Sequence, residues 1–338
     1  MPVLHRTYTA QEIADLLGLE LSGDGQAPID AVLPLSQSHE SSFGFYRDGQ
    51  LPRSIGCVCA QTGVPCAKAT LITPNPRHDF GRFCVIAFPK NMGMQGIHPT
   101  AQIDPTAVLG AQVCVGPYAV IGPDVKIAEN VVIGSHVVIE EGVSIGASTH
   151  IGAKTIISRW CDIGQRCVIS PGVIIGDDGF TYDKTAQGWQ SCPQISRVII
   201  GHDVDIGPGC VIDRGMLEDT VIEEGCKIDA MCMIAHGVKI GAHTLIAGAT
   251  SIAGSTQLGQ HCLLGGRCAV GDNLKITDGV ILSGATCVVE NITDSGHYVS
   301  RSPVMPWRDW TKRQYILNTF VREKLSERTK RISDARNK

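Results

Sequence analysis

The chain has 338 residues, of which 43% are hydrophobic, 18% charged and 5% aromatic, and its net charge of -4 gives no sign of nucleic-acid or membrane binding. No apolar run approaches the roughly 20 residues that span a bilayer, and the N-terminus lacks the apolar core and cleavage site of a signal peptide. We therefore expect a cytoplasmic protein without a membrane span, and we expect its 14 cysteines to be reduced thiols.

Residues 1–97 predict a small α/β domain. The stretch "TAQEIADLLGLEL" predicts a helix with Thr9 as N-cap and Glu12 three residues on, and Ala69–Ile72 and Phe83–Phe88 are predicted strands.

The cysteine cluster "CVCAQTGVPC" lies in the same region. Its Cys-Val-Cys start suits a strand, and its spacing matches no standard zinc pattern, so we expect no metal site there.

An aliphatic residue then recurs every six positions, from Ile103 to Ile175, again at Ile200, Ile206 and Ile212, and after a shift of four residues from Ile222 to Val288. This period fits neither an α-helix nor an amphipathic strand. It fits a coil with three flat sides of six residues each, which closes after eighteen. The pattern resembles the hexapeptide-repeat proteins, which implies a left-handed parallel β-helix over residues 98–305 that assembles as a homotrimer.

Half of the cysteines follow the same repeat. Seven of them lie four residues after an aliphatic anchor, at the second inward position, where only small side chains fit: Cys161, Cys167, Cys210, Cys226, Cys232, Cys262 and Cys268. A free cysteine serves there as a small apolar residue, and this spacing places the thiols on successive sides and not around a metal.

Two stretches interrupt the repeat, residues 177–197 and the segment around 214–220. Insertions in a solenoid commonly gather on its binding face, so we expect loops near a site.

Residues 306–338 predict a helical extension. Ile316, Leu317, Phe320, Val321 and Leu325 form an apolar stripe at helical spacing, and nine Lys/Arg face three Asp/Glu from residue 311 onward. Such a charge excess suits a solvated terminal helix or a docking surface for an acidic partner.

The repeat alone leaves acyltransferases, nucleotide-sugar enzymes and γ-class carbonic anhydrases open. More specific segments occur in the order "IHPTAQIDPTAVLG", "IIGDDGF", "PQISRVIIG", "VIDRGMLEDTVIEEGCKIDAMCMIAHGVKIGAHT" and "IAGST". Together they resemble the UDP-3-O-acylglucosamine N-acyltransferase family of lipid A biosynthesis. The resemblance implies transfer of an (R)-3-hydroxyacyl chain from acyl carrier protein to the 2-amine of a UDP-sugar, with no cofactor.

His236 is the residue that the repeat leaves unexplained. It stands two residues after the anchor Ile234, where the pattern points outward, and histidine is the side chain that most often serves as a general base. Eighteen residues on, one coil away, lies Gly254, whose N–H could stabilise an oxyanion. The resemblance assigns these roles to the same two residues.

The resemblance also implies substrate contacts. The stretch "SSFGFYRDGQ" supplies Phe43, Phe45 and Tyr46 for the aromatic residues that hold the uracil, and Phe43 fits the motif best, although the usual Asn-Pro-Lys-Tyr continuation is absent. Asp229 matches an acidic residue that orients the site, with a turn aspartate as the alternative.

Two positions depart from the family pattern. Gly237 replaces an asparagine, and Asn273 replaces a second histidine. These departures leave a specialised paralogue open. Three further alternatives are a related acyl- or acetyltransferase acting on another amino sugar, a metalloenzyme of the γ-carbonic anhydrase type, and a non-catalytic scaffold or regulator.

Overall fold

A computed structural model describes residues 3–49, 52–88, 95–300 and 304–336. The chain divides into two compact units, Met1–Met94 and Gln95–Lys338. The second unit begins slightly before the predicted boundary because Ile97 already pairs with Val115 of the first coil.

The N-terminal unit is a six-stranded sheet with two helices, as the sequence predicts. The strands lie in the order β1-β3-β4-β5-β6-β2, with only the outer two pairings antiparallel. The strands are Val3–Thr9 (β1), Glu20–Gly23 (β2), Pro28–Val32 (β3), Ser42–Phe45 (β4), Ile55–Ala60 (β5) and Ala67–Ile72 (β6); the helices are Ala10–Leu17 (α1) and Pro76–Ala87 (α2), and Leu35–Gln37 is a 3-10 turn.

The start of α1 confirms the predicted cap. Glu12 N–H donates to Thr9 Oγ1 at 3.1 Å, and Thr9 N–H donates to Glu12 Oε2 at 2.7 Å, so both free donors at the helix start are satisfied. The helix ends at Gly18, whose φ of 66° lies in the left-handed region that glycine adopts without strain.

The predicted strand Phe83–Phe88 is wrong, because this segment forms the end of α2. Pro76 opens the helix, and Phe83 and Ala87 turn inward at helical spacing while Val85 is exposed. The short apolar run fitted both patterns, and the helical face is the one that covers the sheet. Cys57 and Cys59 lie on the buried strand β5 of that sheet.

The second unit is the predicted three-sided parallel β-helix, and its strands form three sheets of ten, nine and ten strands. We number the strands β7 to β37 in chain order. The first face comprises Gln102–Ile103, Val120–Ile121, Val138–Ile139, Ile156–Ile157, Ile174–Asp178 (β19), Val211–Arg214 (β24), Met233–Ile234 (β27), Ser251–Ile252 (β30), Ala269–Val270 and Cys287–Val288. The second face comprises Val108–Leu109, Lys126–Ile127, Ser144–Ile145, Asp162–Ile163, Val198–Ile200, Thr220–Ile222 (β25), Lys239–Ile240, Gln257–Leu258 and Lys275–Ile276. The third face comprises Cys114–Val115, Val132–Ile133, His150–Ile151, Val168–Ile169, Asp205–Ile206, Lys227–Ile228 (β26), Leu245–Ile246, Leu263–Leu264, Ile281–Leu282 and His297–Tyr298.

The register of neighbouring coils confirms the eighteen-residue period. Met233 pairs with Ser251 and Ile234 with Ile252 between β27 and β30. The aliphatic anchors fill the interior, and all seven cysteines that share the repeat are buried beside them. The core is therefore a column of small and branched side chains, which explains the scarcity of aromatic residues.

Both interruptions of the repeat emerge as loops next to the first face. Residues after β19 form a hairpin of Tyr182–Thr185 (β20) and Gly188–Ser191 (β21), and the residues after β24 make a short excursion before β25. The loops share main-chain hydrogen bonds, since the N–H groups of Ile195 and Ser196 donate to the carbonyls of Met216 and Gly215.

The C-terminal extension forms one helix, Trp307–Arg336 (α3). Ile316, Leu317, Phe320 and Val321 of its apolar stripe are exposed, and the side chain of Leu325 lies outside the described residues. None of the helices in the described part of the chain is long and apolar enough to cross a membrane.

Candidate active site

His236 lies at the corner that follows β27, and its side chain is half-buried. The backbone there is fixed from both sides. The His236 carbonyl accepts a hydrogen bond from Ser255 N–H at 2.9 Å, and the next residue, Gly237, donates its N–H to the buried hydroxyl of Thr220 at 2.8 Å. These bonds hold the histidine in place while its ring makes no hydrogen bond to any described residue.

Gly254 occupies the same corner one coil further on, as the eighteen-residue period predicts. A Cβ placed on Gly254 would stand 2.5 Å from Cε1 and 2.6 Å from Nε2 of His236, so no side chain fits over the imidazole. Its N–H has no acceptor among the described residues. The main chain of Gly254 therefore lies against the histidine ring and carries an N–H without a described partner, so a base and a main-chain donor, the two groups that general-base attack on a carbonyl uses, occur in neighbouring coils.

The two departures from the family pattern lie in the same column. Gly237 has a φ of 67°, in the left-handed region that asparagine and glycine both adopt, so its backbone conformation suits either residue. Asn273 donates its N–H to the Gly254 carbonyl at 2.9 Å, and its exposed side chain donates to Asp272 at 3.0 Å. Asn273 thus lies in the coil that follows Gly254 and contacts it through the main chain.

Asp229 lies at a different corner, after β26 on the third face. Its carboxylate accepts the N–H groups of Ala230 at 2.8 Å and Gly248 at 3.0 Å, so it serves as the turn aspartate of that corner. No hydrogen bond or ion pair joins Asp229 to His236 among the described residues, and its orienting role stays a prediction.

The sequence reading missed three residues beside His236: Gly179 and Gln194, which lie in the first interruption, and Asp213, which lies on β24. A Cβ on Gly179 would stand 3.0 Å from His236 Cβ, 3.1 Å from Asp213 Oδ2 and 2.9 Å from Gln194 Nε2. These four residues therefore meet at one point. The signal that could have found them is the break in the repeat, since three of them lie in or next to the interrupted segments.

Asp213 is the charged member of this cluster. It is 3% exposed, and its carboxyl has no hydrogen-bond partner among the described residues. Burial, together with the nearby carboxylates of Asp177 and Asp178, raises the pKa of Asp213 to about 6.

Arg214 follows Asp213 and is 2% exposed. Its Nε donates to the Gly176 carbonyl at 2.6 Å and its second terminal nitrogen to the Arg159 carbonyl at 3.1 Å, while Asp178 lies 3.8 Å away. The buried guanidinium thus ties β19 to β24, and it makes no ion pair with Asp213.

The predicted nucleotide contacts in the N-terminal unit need a correction. Phe43 is fully buried, stacked on Phe80 at 5.6 Å and edge-on to Phe83 at 4.9 Å, so its ring has no free face. Its position in the middle of β4, beneath α2, accounts for this burial. Tyr46 is half-buried, and its hydroxyl donates to the Gly49 carbonyl at 3.1 Å.

A groove of about 700 Å³ lies beside Phe43, and Phe45, the next residue on the same side of β4, lines it. Arg47 and Arg77 line both this groove and an adjacent one that also holds Arg82 and His78. Aromatic and cationic side chains together suit a base and its phosphates.

Neither the described acidic, cysteine and histidine residues nor a stacked histidine pair forms a metal site. Within residues 3–49, 52–88, 95–300 and 304–336 no three His, Cys, Asp or Glu side chains converge as metal ligands. His243 and His261 stack at 5.2 Å on another corner, and no third ligand joins them there.

Models of two known families match parts of the β-helix. A model of the bacterial transferase hexapeptide (six repeats) matches residues 219–254, and one of the GMPPB C-terminal domain matches residues 92–187. The structure of LpxA from Acinetobacter baumannii is 24% identical and covers 61% of this chain and 71% of that one, with a TM-score of 0.49.

Two curated relatives extend over nearly the whole chain. The UDP-3-O-acylglucosamine N-acyltransferase of Coxiella burnetii (strain Dugway 5J108-111) is 38% identical over 96% of this chain and 97% of its own. The enzyme of that name from Xanthomonas axonopodis pv. citri (strain 306) is 46% identical over 90% and 92%. The protein is therefore an acyltransferase with the left-handed β-helix of the hexapeptide proteins, and it belongs to the UDP-3-O-acylglucosamine N-acyltransferase family.

Proposed function

We propose that the protein transfers an acyl chain, an (R)-3-hydroxyacyl group, to the 2-amine of UDP-3-O-acylglucosamine in lipid A biosynthesis. The observation that carries the proposal is the Gly254 main chain against the His236 ring, in a chain whose relatives bear the name of this reaction. The repeat leaves no structural need for a histidine at this corner, and a side chain on Gly254 would displace it.

The geometry supports a two-part mechanism. His236 takes a proton from the attacking nitrogen while the nitrogen bonds to the thioester carbonyl carbon, and the carbonyl oxygen becomes an oxyanion facing the free N–H of Gly254. When the carbon–sulfur bond breaks, the His236 imidazolium returns its proton to the thiolate. One preorganised donor of this kind contributes on the order of 10²–10³ in rate, and general-base assistance a further ~10²–10⁴.

The acyl donor in this proposal is acyl carrier protein, and no cofactor takes part. The support is electrostatic: acyl carrier protein is acidic, and nine Lys/Arg against three Asp/Glu lie in the chain from residue 311 onward. Lys312, Arg313 and Arg322 lie on α3 within the described residues. Complementary charge of this kind raises association rates more than affinity.

A homotrimer in the cytoplasm is the proposed working form. Its support is the exposed apolar stripe of α3 and the flat faces of the β-helix, which leave surface for neighbouring copies to cover.

The UDP portion of the acceptor is assigned to the N-terminal unit. Phe45 and Phe80 offer partly exposed rings for uracil, and Arg47 and Arg77 offer cations for the diphosphate. In this assignment Phe45, and not Phe43, contacts the uracil, and Tyr46 lies just after the end of β4.

The proposal is tested by offering the purified protein UDP-3-O-acylglucosamine with acyl carrier proteins that bear hydroxyacyl chains of 10 to about 18 carbons. We expect amide formation, detected by mass spectrometry, with at least one chain length. Transfer to none of them, or transfer only from acetyl-CoA to another amino sugar, contradicts the proposal.

A further inference from the structure

The proposed reaction removes two protons from the acceptor nitrogen, and His236 accounts for only one of them. Amines with nearby electron-withdrawing groups, such as α-amino groups, have pKa values of about 8, so the acceptor arrives largely as an ammonium at neutral pH. Forming an amide from an ammonium releases two protons from nitrogen. His236 accounts for one of them, because it returns that proton to the thiolate.

A second group stands next to His236. Asp213 Oδ2 and His236 Cβ both lie within about 3 Å of the point where a Gly179 side chain would begin. Asp213 is 3% exposed, and no described residue donates a hydrogen bond to it or forms an ion pair with it. An occupant of the site that donates a hydrogen bond to this largely buried carboxyl is therefore favoured.

The charges around Asp213 favour a cation as that occupant. The carboxylates of Asp177 and Asp178 face it from β19, and His236 faces it from the corner after β27. Arg214 is the one cation of the cluster among the described residues. It donates to two main-chain carbonyls, its Nε lies 3.8 Å from Asp178, and its Nη1 has no hydrogen-bond partner among those residues. The cluster therefore holds more negative than positive charge.

A second buried acceptor near Asp213, the side-chain oxygen of Gln194, also lacks a hydrogen-bond donor within the described part of the chain. Gln194 is 2% exposed, its Nε2 donates to Thr181 Oγ1 at 2.8 Å, and its Oε1 has no hydrogen-bond partner among the described residues. Two neighbouring acceptors, a carboxylate and an amide oxygen, thus lack donors beside the general base.

We propose that Asp213 receives the ammonium of the acceptor sugar beside His236, takes its first proton, and so selects an amine over a hydroxyl acceptor. The inference rests on the proposed function. A hydroxyl brings neither the charge nor the extra proton, and it gains little from a carboxylate in this position.

Each proton and electron pair is accounted for in the following steps. The ammonium passes one proton to the Asp213 carboxylate and becomes an amine. The nitrogen lone pair forms the bond to the thioester carbon, and His236 takes the second proton. The carbon–sulfur bond breaks, the thiolate takes its proton from His236, and Asp213 releases its proton to solvent, so the products are an amide, a thiol and one proton. A pKa of about 6 keeps the Asp213 carboxyl ionised at neutral pH and still able to accept a proton.

The test measures binding and needs no acyl donor. UDP-3-O-acylglucosamine and UDP-3-O-acylglucose, which carries a hydroxyl at the same carbon, are titrated by calorimetry into the full-length wild type and Asp213→Asn. The matched control is Asp205→Asn, on the third face, where the aspartate pairs with Lys227 at 3.1 Å. We expect Asp213→Asn to weaken the amine ligand about 10- to 100-fold and the hydroxyl ligand less than about twofold, with Asp205→Asn unchanged. Equal effects on both ligands, or no effect on either, overturn the inference.

A second measurement covers the case in which Asp213→Asn does not fold. The ratio of the two affinities is followed from pH 5 to pH 9.5 in His236→Ala, where no imidazole at this corner contributes. The preference for the amine should be greatest between the two pKa values, fading below pH 6 as Asp213 is protonated and above pH 8 as the ammonium is lost. A flat ratio contradicts the inference. Failure of the wild type to bind either sugar instead counts against the proposed function.

Discussion

Gly254→Ala is the substitution that tests the site geometry most sharply. The added methyl carbon would stand 2.5 Å from Cε1 and 2.6 Å from Nε2 of His236, whereas non-bonded carbon atoms prefer about 3.5–4.0 Å. The imidazole must therefore move by about 1 Å. The backbone of residue 254 is retained, so the oxyanion donor stays while the base is displaced.

The expected cost follows from this displacement. A misplacement of about 1 Å in a reacting group can lower the rate about 100-fold, which corresponds to about 2.7 kcal/mol of activation free energy. We expect kcat to fall by this factor with little change in KM, because the sugar's other contacts are untouched.

The assay is the initial rate of amide formation by mass spectrometry, with Gly266→Ala as the matched control. Gly266 stands at the same place in the repeat, two residues after an anchor, and a Cβ there would meet its nearest atom, the Gly248 carbonyl oxygen, at 3.3 Å. The control should keep its rate within about twofold, and both variants should melt near the wild type. A fully active Gly254→Ala refutes the placement of His236 at the reaction centre.

Three further predictions concern the backbone, a cap and pH. Gly237→Asn should fold and keep its activity within a few fold because asparagine tolerates the φ of 67°. Gly237→Val should lower the free energy of unfolding by about 1–2 kcal/mol, measured with denaturant. Equal stability of the two variants would contradict the strain argument. Thr9→Ala should cost about 1 kcal/mol in the N-terminal unit, read by urea unfolding, because Glu12 N–H loses its acceptor; an unchanged midpoint would contradict it. Asp213 has a raised pKa, so the folded state binds its proton more tightly than the unfolded state, and the stabilising effect present below the unfolded pKa of about 4 is lost as pH rises through about 6. Asp213→Asn should therefore gain stability relative to wild type by about 1–2 kcal/mol between pH 4 and pH 8, and a pH-independent difference in melting would contradict the buried carboxyl.

The repeat made most of the fold predictable from the sequence. Because each coil consumes eighteen residues, the contact between His236 and Gly254 follows from counting, and the structure places the glycine against the ring. The same counting places Asn273 one coil beyond Ser255, next to Gly254, whose carbonyl accepts the Asn273 N–H.

Positions outside the repeat were less predictable. Gln194 reaches His236 only through a loop, and counting gives no position for a loop. Asp213 lies on β24, which pairs with β27 at a spacing of 22 residues because of the four-residue shift in the repeat. In the N-terminal unit, Phe43 and Phe45 lie on the same side of one strand, and only the packing of α2 decides which ring is buried. The run Phe83–Phe88 is too short for its period to distinguish a strand from a helix.

The central claim is that His236 is the base of an N-acyl transfer. Its most direct test compares kcat/KM for amide formation between wild type, His236→Ala and His261→Ala, the last an exposed histidine at another corner of the β-helix. The account predicts a loss of about 10²–10⁴ in His236→Ala, with unchanged melting, and a rate within about twofold of wild type in His261→Ala. A folded His236→Ala variant that retains the wild-type rate would contradict it.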